Sequence, residues 1–146
     1  MSQKKIDQLI INKPYEEPKE HWLYIRETQE FERRKGRRMS GYWRATVGKR
    51  PKHDDPGEFI PIELVNKIRP RVKAWKEKGY PNITGTTKRL IQFWRDENQR
   101  EFQPFWCQFE AVETAIWLTE ANPADKQGID ISNDGSVMIG AVDAEA

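Results

Sequence analysis

The sequence is short of the groups that build metal and disulfide chemistry: it has one cysteine, Cys107, and two histidines, His21 and His53. One thiol excludes an internal disulfide, and residues so scattered cannot meet the ligand spacing of a Cys/His zinc site. No apolar run approaches the roughly 20 residues of a membrane-spanning helix. Met1-Ser2-Gln3-Lys4-Lys5 leads into no apolar stretch of the secretory kind. The expectation is a cytoplasmic protein without membrane contact. Hydrophobic residues are sparse, 36% against 33% charged with a mean hydropathy of −0.91, so a good part of the chain must lie outside a core. Its 146 residues make about one domain.

What the chain does have is aromatic: six Trp, six Phe and four Tyr argue against wholesale disorder. Its charge is also polarised. Residues 1–100 carry 24 Lys and Arg against 14 acids, whereas residues 101–146 carry one Lys against nine. Such asymmetry predicts a first part facing a polyanion, and a last part that is a packed helix or a solvated acidic tail.

Three stretches follow from composition and period: an extended, basic segment over 1–60, a helical segment over 61–121 and a flexible tail over 122–146. Leu9-Ile10-Ile11 and Trp22-Leu23-Tyr24-Ile25 are apolar runs too short to distinguish a strand from a buried helix. Gly41, Gly48, Pro51, Pro56 and Gly57 punctuate 41–60, which reads as a loop with one strand at Tyr42-Trp43.

From Pro61 the period becomes helical. Leu64, Val65, Ile68, Val72 and Trp75 form a one-sided stripe, with Lys67, Arg69, Arg71, Lys73, Lys76 and Lys78 around the rest. Pro70 inside this pattern predicts a kink, or a helix that starts only after Asn66 as cap. Gly79-Tyr80-Pro81 should end it. A second helix should open at Thr86 or Thr87 behind a threonine cap, with Leu90, Ile91 and Trp94 on its apolar face. The third, with Phe109, Ala111, Val112, Ala115, Ile116 and Leu118, should be mostly buried and stop at Asn122-Pro123. The fold class is therefore α+β and helix-dominated: an irregular N-terminal half with short strands, helices over about 62–78, 86–97 and 107–121, and a loose tail. Residues 129–139 could form a hairpin or stay disordered.

Two constellations suggest chemistry. Between Arg33 and Lys52 lie Arg33, Arg34, Lys35, Arg37, Arg38, Arg44, Lys49, Arg50 and Lys52, no acid, and Tyr42 and Trp43 among them. Guanidinium groups pair with phosphates and rings stack on bases, so this run, with Lys73 and Lys76 of the first helix, is a candidate DNA contact. The plain alternative is a solvated loop. The second constellation is Phe105-Trp106-Cys107-Gln108, where a carboxamide at a helix start follows aromatics. Gln108 could read an adenine edge while Phe105 or Trp106 stacks on the ring. Taken alone, a helix-opening glutamine such as Gln108 is usually just a polar first-turn residue.

Glu63-Leu64-Val65-Asn66-Lys67-Ile68-Arg69, Gly79-Tyr80-Pro81-Asn82-Ile83-Thr84-Gly85-Thr86-Thr87, and above all Trp106-Cys107-Gln108-Phe109-Glu110-Ala111-Val112-Glu113-Thr114-Ala115-Ile116-Trp117-Leu118, with Gly36-Arg37-Arg38 upstream, resemble the N-terminal region of type III restriction endonuclease R subunits. Those are superfamily 2 ATP-dependent DNA helicases and endonucleases of host defence. The resemblance implies that Gln108 matches the family's adenine-reading glutamine and Phe105 or Trp106 its aromatic. It further implies DNA, a methyltransferase subunit and the remaining helicase domains as partners.

The family's phosphate loop, Asp-Glu pair and nuclease motifs have no counterpart here. Gly48-Lys49 is followed by Arg50, with Trp43 where the first glycine of a phosphate loop would stand. ATP and Mg²⁺ are thus expected only in a full-length family member, and no catalytic or metal-ligating residue is expected in this chain. The reading is a segment truncated before the phosphate loop and inactive alone, with a stand-alone DNA-binding module or a piece that docks on a separate helicase subunit as alternatives. Glu17-Pro18-Lys19 makes a poor nuclease motif and Asp54-Asp55 reads as a turn. Cys107 reads as a buried, inert thiol, and Glu110, Glu113 and Glu120 as a solvated stripe.

Overall fold

The computed structural model describes residues 6–45 and 57–131. Four short strands precede three helices: β1 (Glu20–Ile25), β2 (Glu30–Lys35), β3 (Gly41–Arg44), β4 (Glu58–Pro61), α1 (Glu63–Glu77), α2 (Gly85–Arg95) and α3 (Trp106–Glu120), followed by a 3₁₀ turn at Pro123–Lys126. The class is α+β with helix dominance, as the periodicity predicts. Lys49, Arg50, Lys52, His53, Asp54 and Asp55 lie outside the described residues, as does the predicted hairpin from Ser132 onward.

The strands form two separate antiparallel pairs, β1 with β2 and β3 with β4. Trp22-Leu23-Tyr24-Ile25 lies in β1, where alternate branched and aromatic side chains suit a pleated ribbon. Its partner β2 is exposed throughout and falls on the start of the basic run, which carries no apolar alternation to announce a strand. β4 likewise falls in the stretch expected to be loop. It exists because Tyr42 and Trp43 need partners, and the register sets them opposite Ile60 and Phe59. Gly41 opens β3 under a close approach: a methyl group there would sit 2.5 Å from the Ile60 carbonyl oxygen. Leu9 and Ile10 are exposed and belong to no regular element. Their apolar side chains find no second strand.

α1 begins at Glu63, and its N-cap Ile62 offers no side-chain acceptor. Asn66 does not cap the helix. Its carboxamide oxygen accepts from the Ser40 N–H at 2.8 Å, and its nitrogen donates to the Ser40 carbonyl at 2.9 Å, fastening the strand region to α1. Pro70 lies inside the helix, which continues through it to Glu77. Gly79 follows at φ 83°, in the left-handed region that ends a helix. α2 starts slightly earlier than predicted, capped by the Thr84 hydroxyl, which accepts from the Thr87 N–H.

The core lies between α1 and α3. Ile68, Val72 and Trp75 meet Trp117 and Ala121, with Tyr80, Ile83, Ile116, Leu118 and Ile129 packed around them. The expectation that α3 is mostly buried fails. Glu113 and Trp117 are its buried residues, whereas Cys107, Gln108, Ala111, Val112, Ala115 and Thr119 face solvent. The reason is the narrow core of this small chain, which covers one side of α3 and not the other.

Candidate functional site

The basic candidates are mostly engaged within the chain. Arg33 chelates Glu20, with Nε 2.9 Å from Oε2, and Arg34 lies 2.7 Å from Glu32. Arg38 donates to the Trp22 carbonyl at 2.8 Å. On β3, Arg44 meets Glu58 at 2.8 Å. Trp43 packs edge-on to Phe59 with ring centroids 5.2 Å apart, and Tyr42 is exposed. Lys73 reaches Glu17 at 3.0 Å and Lys76 reaches Glu113 at 3.0 Å. Lys35 has no partner among the described residues.

Arg37 holds the most organised position. Its guanidinium makes two bonds to the Glu110 carboxylate, one of 2.6 Å between Nη2 and Oε2, and lies 4.6 Å from the centre of the Trp106 ring. A planar fork bonded at its edge and stacked on its face has few orientations left. Arg37, Lys73, Lys76 and Trp106 line one cleft of about 410 Å³ between α1 and α3, together with Arg69, Glu17, Glu110 and Glu113. Tyr42, Trp43 and Arg44 do not. Burial, together with the like charge of Arg37, holds the Arg69 guanidinium below the usual arginine range.

At the start of α3 the Gln108 side-chain oxygen accepts from the Phe105 N–H at 2.8 Å, one arm of a capping box. The rest of its carboxamide is exposed, and the Phe105 ring rests against Tyr15 with centroids 5.6 Å apart. Trp106 has its face under Arg37. The residues therefore fit an adenine edge in part: Gln108 keeps its N–H donors, Phe105 keeps exposed ring surface, and Trp106 is engaged elsewhere.

Two sequence expectations about α3 are corrected. Its acids are not a solvated stripe. Glu113 is 3% exposed and accepts from Lys76 Nζ at 3.0 Å, the Tyr80 hydroxyl at 2.7 Å and Arg95 Nη2 at 2.7 Å, joining α1, the following turn and α2 to α3. Glu120 accepts from the Thr87 hydroxyl at 2.5 Å and the Thr84 N–H at 2.7 Å, which holds its carboxyl below the ordinary value. Burial, then the bond to Glu113, pushes the Tyr80 phenol up. Cys107, expected to be buried, is exposed, at the mouth of an open cleft between α3 and Val65, Ile68 and Arg69 of α1.

Sequence reasoning missed Glu113, Glu110, Tyr80 and Arg95. A signal existed: Glu110, Glu113, Trp117 and Glu120 recur at spacings of three, four and three, so the acids share a face with the most buried tryptophan. The opposite face, Gln108, Ala111, Val112, Ala115 and Thr119, carries no charge.

Among the described residues no cluster of His, Cys, Asp and Glu could hold a metal ion, and no helix is long and apolar enough to cross a membrane. Comparison with known protein families, curated proteins and solved structures gives no match for this chain.

Proposed function

We propose that this chain is an N-terminal segment of a type III restriction enzyme R subunit, whose work is to pack α3 against a helicase motor and present Gln108 and Phe105 at that junction. The observation that carries the reading is the outward face of α3. A helix that directs every acid inward and leaves Ala111, Val112 and Ala115 in water, with Val112 38% exposed, is shaped for a second body. Small side chains let another backbone approach closely, and an uncharged face loses little on desolvation. Gln108 lies on that same face, so a partner seated there also meets its free amide donors.

The resemblance of residues 59–128 to the R-subunit N-terminal region supplies the identity of that body. The sequence shows no phosphate-loop motif, so the ATP phosphates would be held by the motor. Gln108 and Phe105 would contribute only the edge and face of an adenine contact. Internal pairing of Arg33, Arg34, Arg37, Arg44, Lys73 and Lys76 with carboxylates weighs against the basic run as a stand-alone DNA site.

The test mixes this chain with an R subunit that lacks its matching N-terminal segment, followed by size-exclusion chromatography and DNA-stimulated ATPase measurement. Co-elution, recovery of ATPase, and loss of both with Ala115→Glu at unchanged circular dichroism are expected. Separate elution of the two wild-type components would overturn the proposal.

A further inference from the structure

Most cations of the N-terminal half meet a carboxylate, but among the described residues Arg38 and Arg69 meet only carbonyls. The Arg38 guanidinium donates to Trp22 at 2.8 Å and the Arg69 guanidinium to Arg38 at 3.2 Å. Both line an open cleft of about 540 Å³ between the segment before β1 and the start of β3. Of the other charges on its walls, Glu20 is held by Arg33 and Arg37 by Glu110. The acids on the adjoining stretches are matched as well. Glu16 lies between Lys13 and Lys19, Glu17 meets Lys73, Glu63 precedes Lys67 by one turn of α1, and Asp7 is offset by Lys35, which stands opposite Glu20 in the β1–β2 register. Two guanidinium charges are left over, so the cleft is positive.

Leu9-Ile10-Ile11 lines the same cleft. The Trp22 indole N–H donates to the Leu9 carbonyl at 3.2 Å, and the Asn12 carboxamide is bonded to the Glu20 carbonyl at 2.8 Å and the Lys19 N–H at 3.1 Å, so the segment is fixed at both ends. Between these anchors the N–H and C=O groups of Ile10 and Ile11 make no hydrogen bond to the described residues. Leu9 and Ile10 are 74% and 78% exposed, and Met39, beside Arg38 in the cleft wall, is 57% exposed. A run of branched residues with open amides is a template on which a second strand pairs.

We propose that this cleft docks an extended, acidic segment of a partner protein, which pairs its backbone with Ile10 and Ile11, lays aliphatic side chains on Leu9, Ile10 and Met39, and sets carboxylates on Arg38 and Arg69. Charge complementarity selects an anion. The open amides select a peptide, because a polyphosphate has no N–H to give the Ile10 and Ile11 carbonyls. Each guanidinium keeps donors beyond the carbonyl it meets, so a carboxylate adds bonds without breaking one. Side chains alternate along a strand, so the segment that fits alternates acids with branched aliphatic residues. No residue of α3 lines the cleft, and the inference does not rest on the α3 docking reading.

The experiment is fluorescence anisotropy of the full chain with a labelled peptide of about ten residues that alternates Asp and Val. Ile10→Asp should weaken binding at least about tenfold, the size of one lost aliphatic contact. Arg38→Glu should weaken it about tenfold, whereas Arg34→Gln, on β2 outside the cleft, stays within about twofold of the parent. A fully N-methylated version of the peptide should not bind, although a purely ionic contact would survive that change. Amide hydrogen exchange at Ile10 and Ile11 should slow when the unmodified peptide is bound. The melting temperature of Ile10→Asp should match that of the parent, since Ile10 is exposed, and this separates a lost contact from lost folding. No binding of the peptide by the parent, binding unchanged in Ile10→Asp, or equally tight binding of an oligothymidylate of the same charge would overturn the proposal.

Discussion

Glu113→Ala tests most directly how α3 is held to the other helices. The wild-type carboxylate is 3% exposed and accepts three bonds, from Lys76, Tyr80 and Arg95. The Lys76 and Arg95 side chains are 34% and 43% exposed, so both regain water when the carboxylate is removed. Their pairing is therefore discounted to about 0.5 kcal/mol each. The Tyr80 hydroxyl is more enclosed, and its bond to a charged acceptor is worth about 1.5–3 kcal/mol. The expected loss is about 3 kcal/mol, or roughly 10 °C in Tm for a chain of this size. Glu113→Gln keeps an acceptor for the phenol and should lose about half as much. Urea melts followed by circular dichroism measure both. In a double-mutant cycle with Tyr80→Phe, the pair should couple by about 1–2 kcal/mol. A Glu113→Ala variant within about 0.5 kcal/mol of the parent, the range of ordinary surface substitutions, would refute the idea that this carboxylate joins the three helices.

Gly41→Ala would set a methyl carbon 2.5 Å from the Ile60 carbonyl oxygen and hard against the Phe59 ring. The β3–β4 pair must part, and a loss of about 1–3 kcal/mol should be read from the urea midpoint. Glu120, held below its ordinary 4.5 by the Thr87 and Thr84 donors, contributes stability above that pH, and the contribution disappears as pH falls through the lower folded-state value. Stability measured from about pH 5 downward should fall less steeply in Glu120→Gln than in the parent. Cys107 is exposed, so a thiol reagent should label it fully without denaturant; labelling only in urea would contradict its placement.

The helices were legible in the sequence because their signals are local. A stripe at 3.6-residue spacing, a glycine that accepts positive φ after Lys78 and a threonine before α2 act within one or two turns. They located α1, α2 and α3 to within a residue or two. The strand at Tyr42-Trp43 was legible for the same reason, whereas Trp22 to Ile25 was too short a run to tell a strand from a buried helix until β2 was seen beside it. β2 and β4 were not, since each takes its form from the strand beside it and β2 has no buried face to leave a pattern.

At the candidate site the residue types were visible and their assignments were not. Composition alone determined that the first hundred residues carry excess positive charge, that no disulfide forms within the chain and that aromatic side chains are plentiful. Tertiary structure decided which cations are free. Arg37 is paired with Glu110, 73 positions away, and no local rule connects them. The same holds for Glu113, whose partners come from α1, the turn after it and α2. Charge attracts through space and falls off with distance, so which pairs form depends on how the helices pack, and that packing is set by Ile68, Val72, Trp75 and Trp117 in the core.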